Sequence, residues 1–168
     1  MSSLSLGMRY TNMKYLVCTV LLVLGLASSS FGQAKPGWIS DVENTVRKKE
    51  AGWKLNTILG SSRPDGYSGS FRLTAGNTIG SVTIQAYTTL TNPIETFEGL
   101  ITITGNTLGK GAEKVTVHGL GDEGYVWARS GNQHSVVQFR KGRTFVQVYM
   151  PGKETALRIA RHILEHIP

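Results

Sequence analysis

The stretch SVVQFRKGRTFVQVYM (residues 135–150) decides the fold of this 168-residue chain. It contains two runs with the apolar content of strands, 135–140 and 143–150, on either side of Lys141-Gly142. A two-residue loop that contains glycine is a strong hairpin signal. Residues 153–167 follow as the clearest helical pattern in the chain. The apolar stripe of this helix comprises Ala156, Ala160, Ile163, Leu164 and Ile167.

Further hairpin signals lie upstream. SFRLTA (70–75) and IGSVTIQAYT (79–88) alternate between apolar and polar residues around Gly76-Asn77, which predicts a second antiparallel hairpin. Additional strands are predicted at 53–59, 114–118 and 125–129. Helices are predicted at 40–50, capped by Ser40 or Asp41, and at 93–101, begun by Asn92-Pro93. The segments 60–69 and 104–113 have the composition of loops.

The resulting element order is α-β-β-β-α-β-β-β-β-α, in which hairpins dominate. We therefore predict an α+β fold, an antiparallel sheet of about six to seven strands with two or three helices packed on one face in a two-layer sandwich. Residues 33–168 are predicted to form a single domain. A chain of about 135 residues buries roughly two-thirds of its unfolded surface, which is enough for a stable core.

Residues 1–32 predict a cleavable signal peptide. The uncharged run LVCTVLLVLGLA (16–27) would form a helix of about 18 Å, whereas a bilayer core is roughly 30 Å thick. Lys14 precedes this run and small residues follow it, as in a secretory signal. Cleavage is expected after Gly32 or, alternatively, after Ala34, and translation begins at Met1 or Met13. The predicted location is extracytoplasmic, either periplasmic or secreted, with no stable membrane insertion after cleavage.

Composition excludes several classes of protein. The single cysteine, Cys18, lies inside the apolar run, and Val17 before it does not fit a lipoprotein signal. The mature domain is then cysteine-free, which excludes a disulfide scaffold and any zinc site built on two cysteines. Cleavage leaves 16 basic and 11 acidic residues, a net charge of +5. Because no basic block exceeds RKK (47–49), we predict no nucleic-acid partner. The candidate partners are instead an anionic component of the cell envelope or another envelope protein.

One candidate ligand site is a basic hairpin tip. Arg140, Lys141 and Arg143 crowd one turn, with Arg129 and Trp127 on the neighbouring predicted strand. Such a cluster can bind anions, or it can simply keep the end of a sheet soluble. Aromatic residues offer a second possibility, an apolar ligand site between sheet and helices, although in small domains aromatics more often form the core. They are Trp38, Trp53, Tyr67, Tyr87, Trp127 and Tyr149.

Catalytic signals are weak. GLGDEG (119–124) matches G-x-G-x-x-G, but a strand follows it instead of a helix, so we interpret it as a turn. His118, Asp122 and Glu123 could meet at one strand end as the dispersed acid/His site of a secreted hydrolase. His162 and His166 are four residues apart, but Ile163 breaks the HExxH pattern, and we expect both to be solvated. We therefore assign no catalytic residue, no metal and no cofactor.

The C-terminal third resembles small secreted bacterial α+β domains of uncharacterised families. The resemblance is carried by GLGDEGYVW (119–127), VVQFRKGRTFVQVYM (136–150) and ALRIARHILEHI (156–167). The order of strands and helices is also similar to that of the PsbP-like sandwiches, accessory proteins of photosynthetic membranes. The resemblance implies a non-catalytic binding or accessory role. The alternatives are the hydrolase and an envelope protein-interaction module that binds another chain along a sheet edge.

The signal-peptide interpretation makes a direct prediction. Intact mass measurement of the protein from its host's extracytoplasmic fraction should give a chain that starts at Gln33, because small residues flank that bond. A start at Lys35 would select the alternative cleavage site. An unprocessed or lipid-modified mass would contradict the predicted location.

Overall fold

The computed structural model describes residues 35–63, 65–129 and 134–168, together with the side chains of all of these except 62, 63 and 129. The predicted signal peptide and both cleavage sites lie outside them. Among the residues described, no helix combines the length and apolarity needed to cross a membrane. The elements are α1 Gly37–Lys49, β1 Lys54–Arg63, β2 Gly66–Ala75, β3 Thr78–Tyr87, α2 Pro93–Leu108, β4 Ala112–Thr116, β5 Glu123–Arg129, β6 His134–Lys141, β7 Thr144–Pro151 and α3 Lys153–Leu164.

The strands form one seven-stranded sheet in the order β1-β2-β3-β7-β6-β5-β4. Every neighbouring pair is antiparallel. Two meanders, β1–β3 and β4–β7, meet where β3 pairs with β7. The predicted element order, the α+β class and the antiparallel sheet are confirmed.

One face of the sheet carries the larger core. A row of apolar side chains crosses five strands in register: Phe71, Val82, Val148, Val137 and Val126. Helices α1 and α3 cover this row with fully buried residues such as Val42 and Ile159. The prediction of helices packed on one face is thus confirmed for α1 and α3.

Helix α2 lies against the opposite face. Neighbouring residues of a strand point to opposite faces. Trp127, Val136 and Phe145 point to the face opposite the core row and are buried against Phe97 and Ile101 of α2. These strands are apolar on both faces because helices cover both. Among the residues that the structure describes, no helix lies over the second face of β1–β3, and we call this half of that face the uncovered half of the sheet.

The composition of residues 60–69 predicted a loop, but residues 60–63 and 66–69 are strand and form the facing arms of the β1–β2 hairpin. Gly60 and Gly69 are paired in register, and the ring of Tyr67 lies over them. A Cβ at Gly69 would be 2.4 Å from the Tyr67 hydroxyl oxygen. The glycines therefore make room for a tyrosine, which composition alone cannot distinguish from turn formation.

Helix boundaries also differ from the prediction. Asn92 caps α2 as expected, accepting a hydrogen bond from the Glu95 amide at 3.2 Å. The helix continues to Leu108, however, because Thr104 and Gly105 are held against the sheet. Helix α1 begins at Gly37 after Pro36, so neither Ser40 nor Asp41 is its cap.

Glu50 joins the end of α1 to α3. Its carboxylate is buried and accepts hydrogen bonds from Arg158 Nε at 3.1 Å and Nη2 at 3.2 Å, and His162 Nε2 lies 3.1 Å away. The Arg158 hydrogen bond, more than His162, holds the pKa of Glu50 below its usual value of 4.5, against the opposing effect of burial.

The expectation that His162 and His166 are solvated is wrong. His162 Nε2 contacts the buried Glu50 carboxylate, and His166 Nε2 is 2.7 Å from Thr45 Oγ1. The polar side of α3, which carries Arg158 and His162, therefore contacts the end of α1 through Glu50.

We expect Glu50→Gln to lower the free energy of unfolding at pH 7 by about 1–2 kcal/mol, the lower part of the range for charged hydrogen bonds because Arg158 is half exposed. The native pKa is lowered, so this stabilisation is present above the usual value of 4.5 and is lost as the pH falls through the native pKa. Urea unfolding between neutral and acidic pH would measure it. Glu113→Gln, on exposed β4, is the control, and equal stability of Glu50→Gln and wild type at pH 7 would contradict the assignment.

Candidate functional site

The predicted basic tip is a braced turn. The Arg140 side chain is only 11% exposed, and its Nη1 donates to Asp122 Oδ2 at 2.8 Å. The same carboxylate oxygen accepts from the backbone amide of Gly142 at 2.7 Å. Asp122 thus fastens the β6–β7 turn to the 119–124 turn.

The other two cations of the tip are similarly engaged. Lys141 Nζ donates to the carbonyl of Ile167, beyond α3. Arg143 Nη1 donates to the carbonyl of Thr88 at 2.8 Å. Each of the three cations ties the tip to a different segment, so an anion would have to compete with these internal acceptors.

The structure does not bring Arg129 or Trp127 to this tip. Arg140 is opposite Glu123 at the start of β5, whereas Arg129 is the last residue of that strand. At about 3.3 Å per residue, the two ends are roughly 20 Å apart. The side chain of Arg129 lies outside the described set. Trp127 is buried beneath α2, and its Nε1 donates to Gln138 Oε1 at 2.9 Å.

The proposed acid/His residues do not converge either. His118 is exposed in the turn after β4. Asp122 binds the β6–β7 turn, and Glu123 accepts from the Tyr125 hydroxyl at 2.6 Å. Within the part of the chain that the structure describes, no group of three or more His, Cys, Asp or Glu side chains is placed to hold a metal ion.

All six aromatic residues offered for an apolar site pack into or against the two cores. Trp38, Trp53 and Tyr67 belong to the α1/α3 side. Tyr87, Trp127 and Tyr149 belong to the α2 side. The core interpretation of these residues is therefore confirmed.

A different site, absent from the sequence predictions, lies where α2 meets the uncovered half of the sheet. We call it the amide cleft, and its floor is a register row of polar residues on neighbouring strands, Thr83, Gln147 and Gln138. Gln85 lies two residues from Thr83 on the same face of β3. The full lining is Thr83, Gln85, Phe97, Leu100, Gln138, Phe145, Val146 and Gln147.

Gln138 anchors the cleft. It is only 2% exposed, and every polar group of its amide is used. Its Oε1 accepts from Trp127 Nε1, and its Nε2 donates to Thr104 Oγ1 at 2.8 Å and to Gln147 Oε1 at 3.1 Å. This network fixes the orientation of the Gln147 amide, with its Nε2 directed away from Gln138.

The wall of the cleft is apolar and mainly aromatic. Phe97 of α2 stacks on Phe145 of β7 with ring centroids 5.9 Å apart and on Tyr125 of β5 at 6.3 Å. Leu100 completes this wall at the solvent side. The depression has about 310 Å³ including its open mouth. The enclosed part of this space admits a group of about the size of one water molecule.

The cleft presents unused hydrogen-bonding groups and no charge. Thr83 and Gln85 are partly exposed, and neither side chain hydrogen-bonds another residue in the described ranges. None of the lining residues is ionisable. The signal in the sequence was Gln138 and Gln147, two amides inside otherwise apolar strands.

Comparisons with protein-family models, with curated proteins and with solved structures found no match to this chain. The similarity to PsbP-like sandwiches therefore stays a prediction.

The geometry of the tip gives a prediction on stability. Arg140→Ala and Asp122→Ala should each lower the free energy of unfolding by about 0.5–1.5 kcal/mol, because each leaves a partly buried partner unsatisfied. A double-mutant cycle in urea should show that the two losses are not additive. Arg161→Ala, on the exposed side of α3, is the control. An Arg140→Ala protein of unchanged stability that no longer binds phosphatidylglycerol vesicles would instead make the tip an anion site.

Proposed function

We propose that this chain is a non-catalytic binding or accessory domain of the extracytoplasmic space and that the amide cleft is its ligand site. The observation that carries the proposal is the buried, fully bonded Gln138, which orients Gln147 beside the unused groups of Thr83 and Gln85. Binding sites of this type combine an apolar wall with a few fixed polar groups. Preorganised groups lose little entropy when a ligand binds.

Other functions are supported less well. A hydrolase would need its acid, base or nucleophile within hydrogen-bonding reach of one another, whereas Asp122 and Glu123 contact different partners and His118 is exposed. Binding of an anion at the basic tip would compete with the bonds that brace the turn. Neither arrangement offers a set of free groups that converge on one point.

A second candidate function is protein interaction along the edge strand β1. Ile58 and Leu59 of this strand are 54% and 56% exposed. An unpaired strand edge with exposed apolar residues can accept a strand from another chain. The register shift between Thr57 and Leu59 interrupts this edge, which weakens the case relative to the cleft.

The test is native mass spectrometry of the tagged full chain recovered from its host's extracytoplasmic fraction. We expect the wild-type protein to carry a reproducible small ligand. A Gln85→Ala/Gln147→Ala variant should lose it, because removal of two hydrogen bonds weakens binding by about tenfold or more.

Asn56→Ala is the matched control, since it removes an exposed amide from the same face at β1. A ligand retained by the double variant would exclude the cleft. A co-purified protein released by Leu59→Lys, with no small ligand, would favour the edge function.

A further inference from the structure

We propose that this protein binds the surface of an anionic phospholipid bilayer through one corner of its fold. This basic corner joins the last turn of α1 to the outward face of β1 and β2, and its cations are Arg47, Lys48, Lys54 and Arg72. The inference goes beyond the proposed function, because none of these residues lines the amide cleft. Three features support it: the cations are unpaired, the nearby acids are engaged or distant, and exposed apolar side chains lie beside the cations.

Two of these cations are neighbours on the outward face of the sheet. Lys54 is opposite Thr74 of β2, and Arg72, two residues before Thr74, points to the same face. The two are therefore diagonal neighbours, with Cα atoms about 7–8 Å apart. Both side chains are exposed, and neither forms an ion pair or a hydrogen bond with another residue in the described ranges. Their like charges are thus left uncompensated by folding.

The last turn of α1 adds cations beside the same edge of the sheet. Arg47 is one turn after Glu43 on the same side of α1, and the Glu43 carboxylate accepts a hydrogen bond from Thr57 of β1 at 3.0 Å. Arg47 therefore lies on the side of α1 that faces the edge strand. Arg47 and Lys48 are both exposed, and neither side chain has a partner among the residues that the structure describes.

The acids of the helical layer do not neutralise this corner. Glu43 is bound by Lys35 Nζ at 2.6 Å, and Glu50 is buried against Arg158. The exposed acids of this layer without a side-chain partner lie at the beginnings of their helices, away from the last turn of α1: Asp41 of α1 and Glu154 of α3.

The outward face of the sheet adds no acid to the corner. Among the outward side chains described on β1, β2, β3, β7 and β6, none is a carboxylate. Apart from tyrosines, the ionisable groups there, besides those of the corner, are His134 and Arg140 of β6. Arg140 is bound to Asp122, and His134 stacks on Tyr149 with ring centroids 4.8 Å apart. A negatively charged surface that approaches the corner therefore meets uncompensated positive charge.

Exposed apolar side chains flank Arg72. Ile79 of β3 is opposite Thr74 and 57% exposed, and Leu59 of β1 is opposite Ser70 and 56% exposed. Because Ser70 and Thr74 are the residues two before and two after Arg72, Leu59 and Ile79 are its diagonal neighbours on the two adjacent strands. Folding leaves both side chains in water, whereas the interface of a bilayer accepts apolar side chains next to cations.

This arrangement favours a bilayer over a small anion or an anionic polymer. The cations belong to α1, β1 and β2 and are spread around the edge of the sheet, so one phosphate cannot contact all of them. An extended anionic surface can, and each Lys or Arg near such a surface strengthens binding about fivefold. A polysaccharide would supply negative charge but no apolar environment for Leu59 and Ile79.

The experiment is cosedimentation of the mature protein, recovered from its host's extracytoplasmic fraction, with lipid vesicles. We expect vesicles of equal parts phosphatidylglycerol and phosphatidylcholine to bind it, vesicles of phosphatidylcholine alone not to, and added salt to weaken the binding. Lys54→Gln/Arg72→Gln should weaken binding by at least about tenfold. Ile79→Ser should weaken it by several-fold, because it removes an apolar contact.

Lys114→Gln/Arg143→Gln is the matched control, since it removes one lysine and one arginine from the opposite edge and the opposite end of the sheet. It should retain binding, and an unchanged urea midpoint shows that each variant is folded.

Two results would overturn the proposal: no binding of wild type to the mixed vesicles, or an equal loss in the control variant. Heparin binding that Lys54→Gln/Arg72→Gln abolishes, together with full vesicle binding by Ile79→Ser, would assign the corner to an anionic polymer in place of the bilayer. All of these results concern the basic corner alone. The native mass spectrometry described for the cleft decides the proposed function separately.

Discussion

The simultaneous pairing of β7 with β3 and β6 is the contact on which the rest of the structure depends. Residues Thr144–Tyr149 pair with Ser81–Ala86, strands separated in the chain by α2 and three further strands. Alternate residues of β7 enter opposite cores, Val146 and Val148 on the α1/α3 side and Phe145 on the α2 side. Both meanders contribute residues to the α1/α3 core, so this core is incomplete until the pairing forms, and its burial offsets the entropy of closing so long a loop.

The same central position makes the two glutamines of β6 and β7 informative. Gln138 and Gln147 face each other in the middle of the sheet, next to residues that are fully buried. Replacing a hydrogen-bonded buried pair by apolar residues of similar shape is often neutral for stability, so folding alone gives little reason for amides here. The structure also supplies them with specific partners, Trp127 and Thr104, from two other elements. Fixed side-chain orientations of this kind support the proposed binding role of the amide cleft.

Local rules in the sequence predicted the elements and missed the contacts between them. The turn at Gly76-Asn77 and the Asn92 cap depend on neighbouring residues only, and each was predictable. The β6–β7 hairpin was also predicted, but its two-residue turn is Gly142-Arg143, one residue later than the predicted Lys141-Gly142. Thr104 and Gly105 continue α2 because of Gln138 and Trp127, which are distant in the chain. The Glu50–His162 contact and the amide cleft likewise join segments far apart. Composition could identify none of these sites, since it records residue types and not their partners.

The positive charge of the basic tip does not mean that its cationic groups are unpaired. The tip holds three cations in four residues, yet carbonyls of Thr88 and Ile167 and the carboxylate of Asp122 already accept their hydrogen bonds. Long cationic side chains near turns often satisfy backbone carbonyls that strands and helices leave unpaired. The uncovered face, by contrast, carries mainly hydroxyls and amides. The chemistry of a ligand must match the groups that remain unpaired after folding, and on this face those are mainly neutral.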